Sequence, residues 1–250
     1  MLANMTLDGL EQTVKDCVPH NKGYKVNVVR YADDFIVTGD SKETLETKVL
    51  PAIQRFMKDQ GLELSPEKTR ITEIHDGFDF LGVNIRKYGD TLLTKPSEKS
   101  QKSLTNKVKE VLQKMTHASQ EKVIEVLNPI LRGWASYHHH GVAKKVFGNM
   151  DNEIWYATWR WAKRRHPNKS AYWIKSKYFH RNGDRNGSFS VLKTPSGKPS
   201  SLFNLVSAPI QRHIKIRAEA HPYDPQWKKY FCERRRRNSR SVARYYRKCC

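Results

Sequence analysis

Leu2, Met5, Leu7, Leu10 and Val14 recur at helical spacing, so Met1 to Val18 reads as the end of a helix. Two β-rich runs follow in YKVNVVRYADDFIVTG, flanking Ala32-Asp33-Asp34 in the pattern of a hairpin. A second helix is expected from Asp40, with Glu43 completing a capping box and Leu45, Val49, Ile53, Phe56 and Met57 on one face. Pro51 should kink or displace its second half, and Gly61 should end it. LELSPEKTRITEI and GFDFLGVNIRKYGDTLLT then read as short strands joined by turns. From Pro96 the period changes. Leu104, Val108, Val111, Leu112 and Met115 begin a helical block that continues through Val123, Ile124, Leu127, Ile130 and Leu131 and then NMDNEIWYATWRWAKRRH. Glycine, serine and proline cluster from His180 to Ser201, which predicts turns, a hairpin and a linker.

Composition adds a partner to this outline. The chain has 250 residues, 38% of them apolar, enough to bury a real core in one large or two modest domains. It carries 46 Lys+Arg against 25 Asp+Glu, a net charge of +21 that predicts a polyanionic partner. Aromatic residues interleaved with these cations favour nucleic acid, because cations meet phosphates while rings stack on bases. No apolar run is long enough to span a membrane, and no basic amphipathic stretch dominates, so no membrane partner is expected. The opening residues lack the layout of a signal peptide. Four cysteines without a C-x-x-C pair fit neither a disulfide scaffold nor a structural zinc site. The expected setting is reducing and cytoplasmic, of bacterial type, with an organelle left open.

Asp33 and Asp34 stand side by side within an apolar, β-branched stretch. At about 4 Å and an effective dielectric near 20, two such carboxylates repel by roughly 4 kcal/mol. They lie either on a solvated turn or around a hard divalent cation, which prefers oxygen ligands. Tyr31-Ala32-Asp33-Asp34 resembles the YADD signature of reverse transcriptases. GLELSPEKT (Gly61 to Thr69) and GFDFLG (Gly77 to Gly82) resemble the following palm motif and the primer-grip hairpin. LNPILRGWASYHHH (Leu127 to His140) resembles the thumb, or maturase, domain of group II intron-encoded proteins, and AHPYDPQWKKYFCERRRR resembles a segment that follows it in part of that family.

The resemblance implies an α+β fold: a partial reverse-transcriptase palm of antiparallel hairpins and helices over residues 1–92, an α-helical thumb/maturase domain over 93–182, and a basic segment that binds DNA or RNA over 183–250. It makes Asp33 and Asp34 the Mg²⁺ ligands and catalytic carboxylates. Lys68 would sit near the leaving pyrophosphate, where an ammonium stabilises charge or donates a proton; it also reads as a solvated lysine in a turn. Tyr31 and Ala32 would lie beneath the primer terminus and incoming nucleotide, and Phe80, Leu81 and Gly82 would form the primer grip. The implied chemistry is two-metal nucleotidyl transfer in RNA-directed DNA synthesis. Intron RNA, a DNA target and primer, and dNTPs are the implied partners. The family's third carboxylate precedes the YADD motif, and LANMTLDGLE (Leu2 to Glu11) looks like the stretch just after the motif that follows it. The chain is therefore expected to start inside the polymerase, to hold an incomplete site, and to need a missing N-terminal half for polymerisation. A non-catalytic RNA-binding maturase module is the competing expectation.

The helical part carries its own candidates. Arg132, Lys144, Lys145, Arg160, Lys163, Arg164, Arg165, Lys175 and Lys177, with Arg234, Arg235, Arg236 and Arg237 in the tail, are expected to meet phosphates. Most of the tryptophans read as core, with Trp155, Trp159 and Ala162 at helical spacing. His138, His139 and His140 are consecutive and point apart on a helix, which makes them a poor metal set; one of them should pack or touch RNA.

Overall fold

The structure, a computed structural model, describes residues 5–18, 25–182, 185–193, 197, 199–212, 216–217 and 219–234. Contacts divide the chain into two compact units, Met1–Glu73 and Ile74–Cys250.

In the first unit, helix α1 (Leu10–Asp16) packs with the hairpin β1 (Asn27–Tyr31) and β2 (Asp34–Thr38), and with a longer helix. That helix begins as α2 (Lys42–Thr44), passes through a π-helical turn (Leu45–Val49) and continues as α3 (Leu50–Asp59). Leu7, Leu10, Val14, Val18, Val49, Ile53 and Met57 form the core, and Val28, Phe35 and Val37 pack one face of the hairpin against it.

One expectation about this helix needs correction, and another takes a specific form. Its cap is Ser41, whose hydroxyl accepts the Thr44 N–H at 3.2 Å. Asp40, one residue earlier, instead accepts the Lys25 N–H at 2.9 Å, so the Asp40–Glu43 capping box does not form. Pro51 does not break the helix, but it displaces the hydrogen-bond ladder by one residue. Lacking an N–H, it leaves the Thr47 carbonyl without its usual donor, and the ladder widens one turn earlier, where Leu50 N–H donates to Leu45 five residues back. The end is as the sequence predicts. Gly61 has φ +70°, its N–H reaches the Lys58 carbonyl at 3.0 Å, and Leu62 N–H reaches Met57 at 2.8 Å, a Schellman closure.

Residues 62–77 contain no strand, contrary to the reading of LELSPEKTRITEI. β-propensity forms a strand only beside a partner strand, and here the backbone closes turns on itself, with Lys68 and Thr69 N–H groups both donating to Ser65.

The second unit opens with an antiparallel meander, β3 (Phe78–Phe80), β4 (Val83–Tyr88) and β5 (Thr91–Pro96), in the order β3-β4-β5. Four helices follow: α4 (Glu98–Lys114), α5 (Gln120–His138), α6 (Lys144–Arg165) and α7 (Ala171–Tyr178). Three of them start at serine caps, Ser97, Ser119 and Ser170, each accepting a backbone N–H three residues on. The glycine-rich stretch then forms β6 (Phe179–Asn182), β7 (Arg185–Val191) and β8 (Ser200–Ser201), a small antiparallel sheet.

Trp161 and Phe147 on α6 join Leu112 on α4 and Ile124, Leu127 and Leu131 on α5 in a helical core that is closed to water. Trp155 and Trp159 stack at 5.5 Å on its rim, beside Phe179. The architecture is α+β, as expected. The division by contacts at Glu73/Ile74 means that the β3–β5 meander is compact with the helices that follow it.

Candidate functional site

Tyr31 pairs with Asp34, so Ala32 and Asp33 alone make the loop of the β1–β2 hairpin. Such a tight loop needs a left-handed residue, and Ala32 takes that role at φ +54°. Tyr31, Ala32, Asp33 and Asp34 are all exposed, Tyr31 at 64%. Neither carboxylate has a hydrogen bond or ion pair among the described residues, so their oxygens are available to a ligand. Their exposure also weakens the argument from repulsion. In water two charges at about 4 Å repel by only about 1 kcal/mol. The pair does not need a cation to exist; it can accept one.

Asp33 and Asp34 together would hold one hard cation completed by water. Two metals need more ligands, and no group of three or more His, Cys, Asp or Glu suited to a metal occurs among the described residues. The donor set here therefore does not fit a two-metal centre. Lys68 is exposed in its turn and forms no ion pair with Asp33 or Asp34.

The second candidate turn is more heavily built. Phe80 pairs with Val83, leaving Leu81 and Gly82 as a two-residue loop with φ +48° and +75°. Two successive left-handed residues are the signature of a type I′ turn, which glycine accepts freely and leucine at a cost. Both carbonyls of the loop are tied to helices. Ser97 N–H donates to Gly82 at 2.9 Å, and the Tyr137 hydroxyl donates to Leu81 at 2.8 Å.

Behind Tyr137 lies a partly buried polar chain that ends on a buried histidine. Trp134 Nε1–H donates to Ser100 Oγ at 3.0 Å, and Ser100 Oγ lies 2.9 Å from His138 Nε2. An indole N–H only donates, so Ser100 keeps its own proton and can give it to His138 Nε2, the arrangement in which Nδ1 carries the ring hydrogen. His138 is buried, and burial pushes its pKa down to about 4. Its ring meets Tyr137 edge-on at 4.9 Å and Trp134 at 4.6 Å. His138 is thus the packed histidine of the three. His140 Nδ1 faces the Gln211 carbonyl at 2.7 Å, with its ring 4.2 Å from that of His139.

The basic candidates divide by what they touch. Lys145, Arg160, Lys163, Arg164 and Lys175 are exposed. Arg132 lies over the Phe203 ring at 4.5 Å and Lys177 over Trp173 at 4.7 Å, both with exposed side chains. Lys144 and Arg165 have structural employment. Lys144 Nζ donates to the Val206 and Ala208 carbonyls at 2.6 and 2.7 Å. Arg165 stacks on Trp161 at 4.7 Å and donates to Thr116 at 3.1 Å and to the Ala118 carbonyl, closing the end of α4. Arg234 is half-buried, and Arg235, Arg236 and Arg237 lie outside the described residues.

Sequence reasoning did not single out Asp151, which is buried on α6. Its carboxylate accepts Leu205 N–H at 2.8 Å and Val206 N–H at 3.1 Å and faces Arg185 at 3.4 Å. Burial pushes its pKa up, while those donors pull it down. The available signal was its place on the same helical stripe as Phe147, Ile154 and Thr158.

Residues 1–85 match the family model described as reverse transcriptase (RNA-dependent DNA polymerase), and residues 101–179 match that of the group II intron maturase-specific domain. The chain thus joins a reverse-transcriptase part to a group II intron maturase part. A relative from Schizosaccharomyces pombe, "Uncharacterized 91 kDa protein in cob intron", is 30% identical over 141 residues, 46% of this chain and 17% of that protein. Both tight turns fall within the reverse-transcriptase match. Trp134, Tyr137 and His138, which hold the second turn, fall within the maturase match.

Proposed function

We propose that this chain binds structured group II intron RNA through its helical maturase part, and that its YADD turn serves RNA-directed DNA synthesis on a primer when further carboxylates are contributed from outside the described residues. The observation that supports this most is the order of the two family matches along one chain, palm turn first and maturase helices second. The chemistry of the parts agrees with it. Asp33 and Asp34 offer exposed oxygen ligands of the kind Mg²⁺ takes. Arg160, Lys163 and Arg164 offer exposed cations to phosphates. Mg²⁺, once bound, would polarise phosphate oxygens; this chain's own part is to hold it at the turn and to grip the nucleic acid.

Primer extension on an RNA template tests the reading. The chain alone should give no extension. Mixed with a fragment carrying the fingers and first palm strand of a related enzyme, it should extend the primer in a Mg²⁺-dependent reaction that Asp33→Ala abolishes. Extension by the chain alone would overturn the claim that its metal site is incomplete. Extension that survives Asp33→Ala in the mixture would remove the turn from the chemistry.

A further inference from the structure

We propose that Tyr137 is a positioning residue for the primer end, acting through the Leu81–Gly82 turn. This assignment rests on the reading of that turn as the one whose backbone approaches the primer strand. Among the described residues, two hydrogen bonds tie the left-handed residues of the loop to the helices: Gly82 to the Ser97 cap of α4, and Leu81 to the Tyr137 hydroxyl on α5. Tyr137 is 56% exposed, so its hydroxyl bond is not a by-product of core packing. Its ring is steadied from beneath by His138, which is locked by Ser100 and Trp134.

The result is a relay of contacts from the helical core to one backbone carbonyl. A Leu at φ +48° relaxes toward other conformations once its carbonyl is released. Loss of the hydroxyl therefore loosens the turn and leaves the basic face of the helices untouched. Tyr137 touches no reacting group; it acts by fixing where the turn's backbone stands.

The test compares Tyr137→Phe and Gly82→Ala with the parent chain. The probes are two fluorescent RNA–DNA duplexes of equal length, one with a recessed DNA 3′ end and one blunt. Anisotropy gives the affinities, and tryptophan fluorescence gives the thermal midpoint. The parent chain should prefer the recessed duplex. Tyr137→Phe should weaken recessed-end binding about fivefold, because the loosened turn must be ordered again on binding at up to the worth of one ordinary hydrogen bond, with blunt-duplex binding unchanged and the midpoint lowered slightly by the lost bond. Equal weakening on both duplexes would overturn the positioning role. So would an unaffected Tyr137→Phe beside a Gly82→Ala variant that loses recessed-end binding, which would leave the reading of the turn intact. A parent chain indifferent to the recessed end, with Gly82→Ala also without effect, would overturn the reading of the turn itself, and the role of Tyr137 with it.

Discussion

Gly141 lies so close to β5 that a Cβ there would stand 2.5 Å from the Thr94 carbonyl oxygen and 3.0 Å from its hydroxyl. The approach is functional to the fold, since the next residue, Val142, donates its N–H to that same carbonyl at 2.7 Å. Gly141→Ala should therefore destabilise the second unit by about 1–3 kcal/mol, the usual cost of overpacking. Gly133, inside α5, meets nothing within 4 Å, and Gly133→Ala should stabilise by up to about 1 kcal/mol through helix propensity. Denaturant midpoints read by tryptophan fluorescence check both, because all six tryptophans lie beyond Ile74. Midpoints that move in the same direction would sink this account. The two glycines are indistinguishable as letters, since what separates them is the element opposite. Asp33 and Asp34 stand out as candidates because a motif surrounds them, whereas Asp151 does not, because its donors come from backbone more than fifty positions away.

At the scale of elements, periodicity was enough for the hairpins and the helical block, because both depend on side chains spaced along one segment. It failed for residues 62–77, where a strand would have needed a partner; at Pro51 the expected displacement takes the form of one π-helical turn. Helix α5 adds a property that the triple histidine only hinted at. The buried His138 ring has its pKa lowered to about 4 from the usual 6.5. Above pH 6.5 the ring is neutral in the folded and unfolded chain, and its full contribution is present. As pH falls below 6.5 the unfolded chain takes up the proton first, so stability drains away until about pH 4. The shift amounts to about 3 kcal/mol. The unfolding midpoint of the second unit should fall across this window, and His138→Gln, which keeps an acceptor for Ser100, should flatten the fall by about one proton. His139, also lowered by burial and by His140, supplies a smaller residual slope. An unchanged slope in His138→Gln would show that another group titrates.

Over the whole molecule, a net charge of +21 does not translate into twenty-one contacts with a polyanion. Lys144 and Arg165 spend their donors on the protein's own carbonyls, while Arg160, Lys163 and Arg164 stand exposed at the end of α6. Residues of the same type should thus behave differently. If structured RNA is held by six to ten phosphate contacts, its affinity should fall about 10³- to 10⁵-fold between 50 and 200 mM salt. Each phosphate-binding cation removed should lower the slope of log K against log salt by about one. Arg160→Gln with Lys163→Gln should therefore reduce the slope by about two while leaving the thermal midpoint in place. Lys144→Met should do the reverse, lowering the midpoint through the lost Val206 and Ala208 bonds with the slope unchanged. Filter binding across a salt series, beside melting curves, reads both quantities. A flat salt response in the parent chain would refute phosphate binding outright. A slope lowered by Lys144→Met but not by the Arg160/Lys163 pair would put the RNA at the other end of α6.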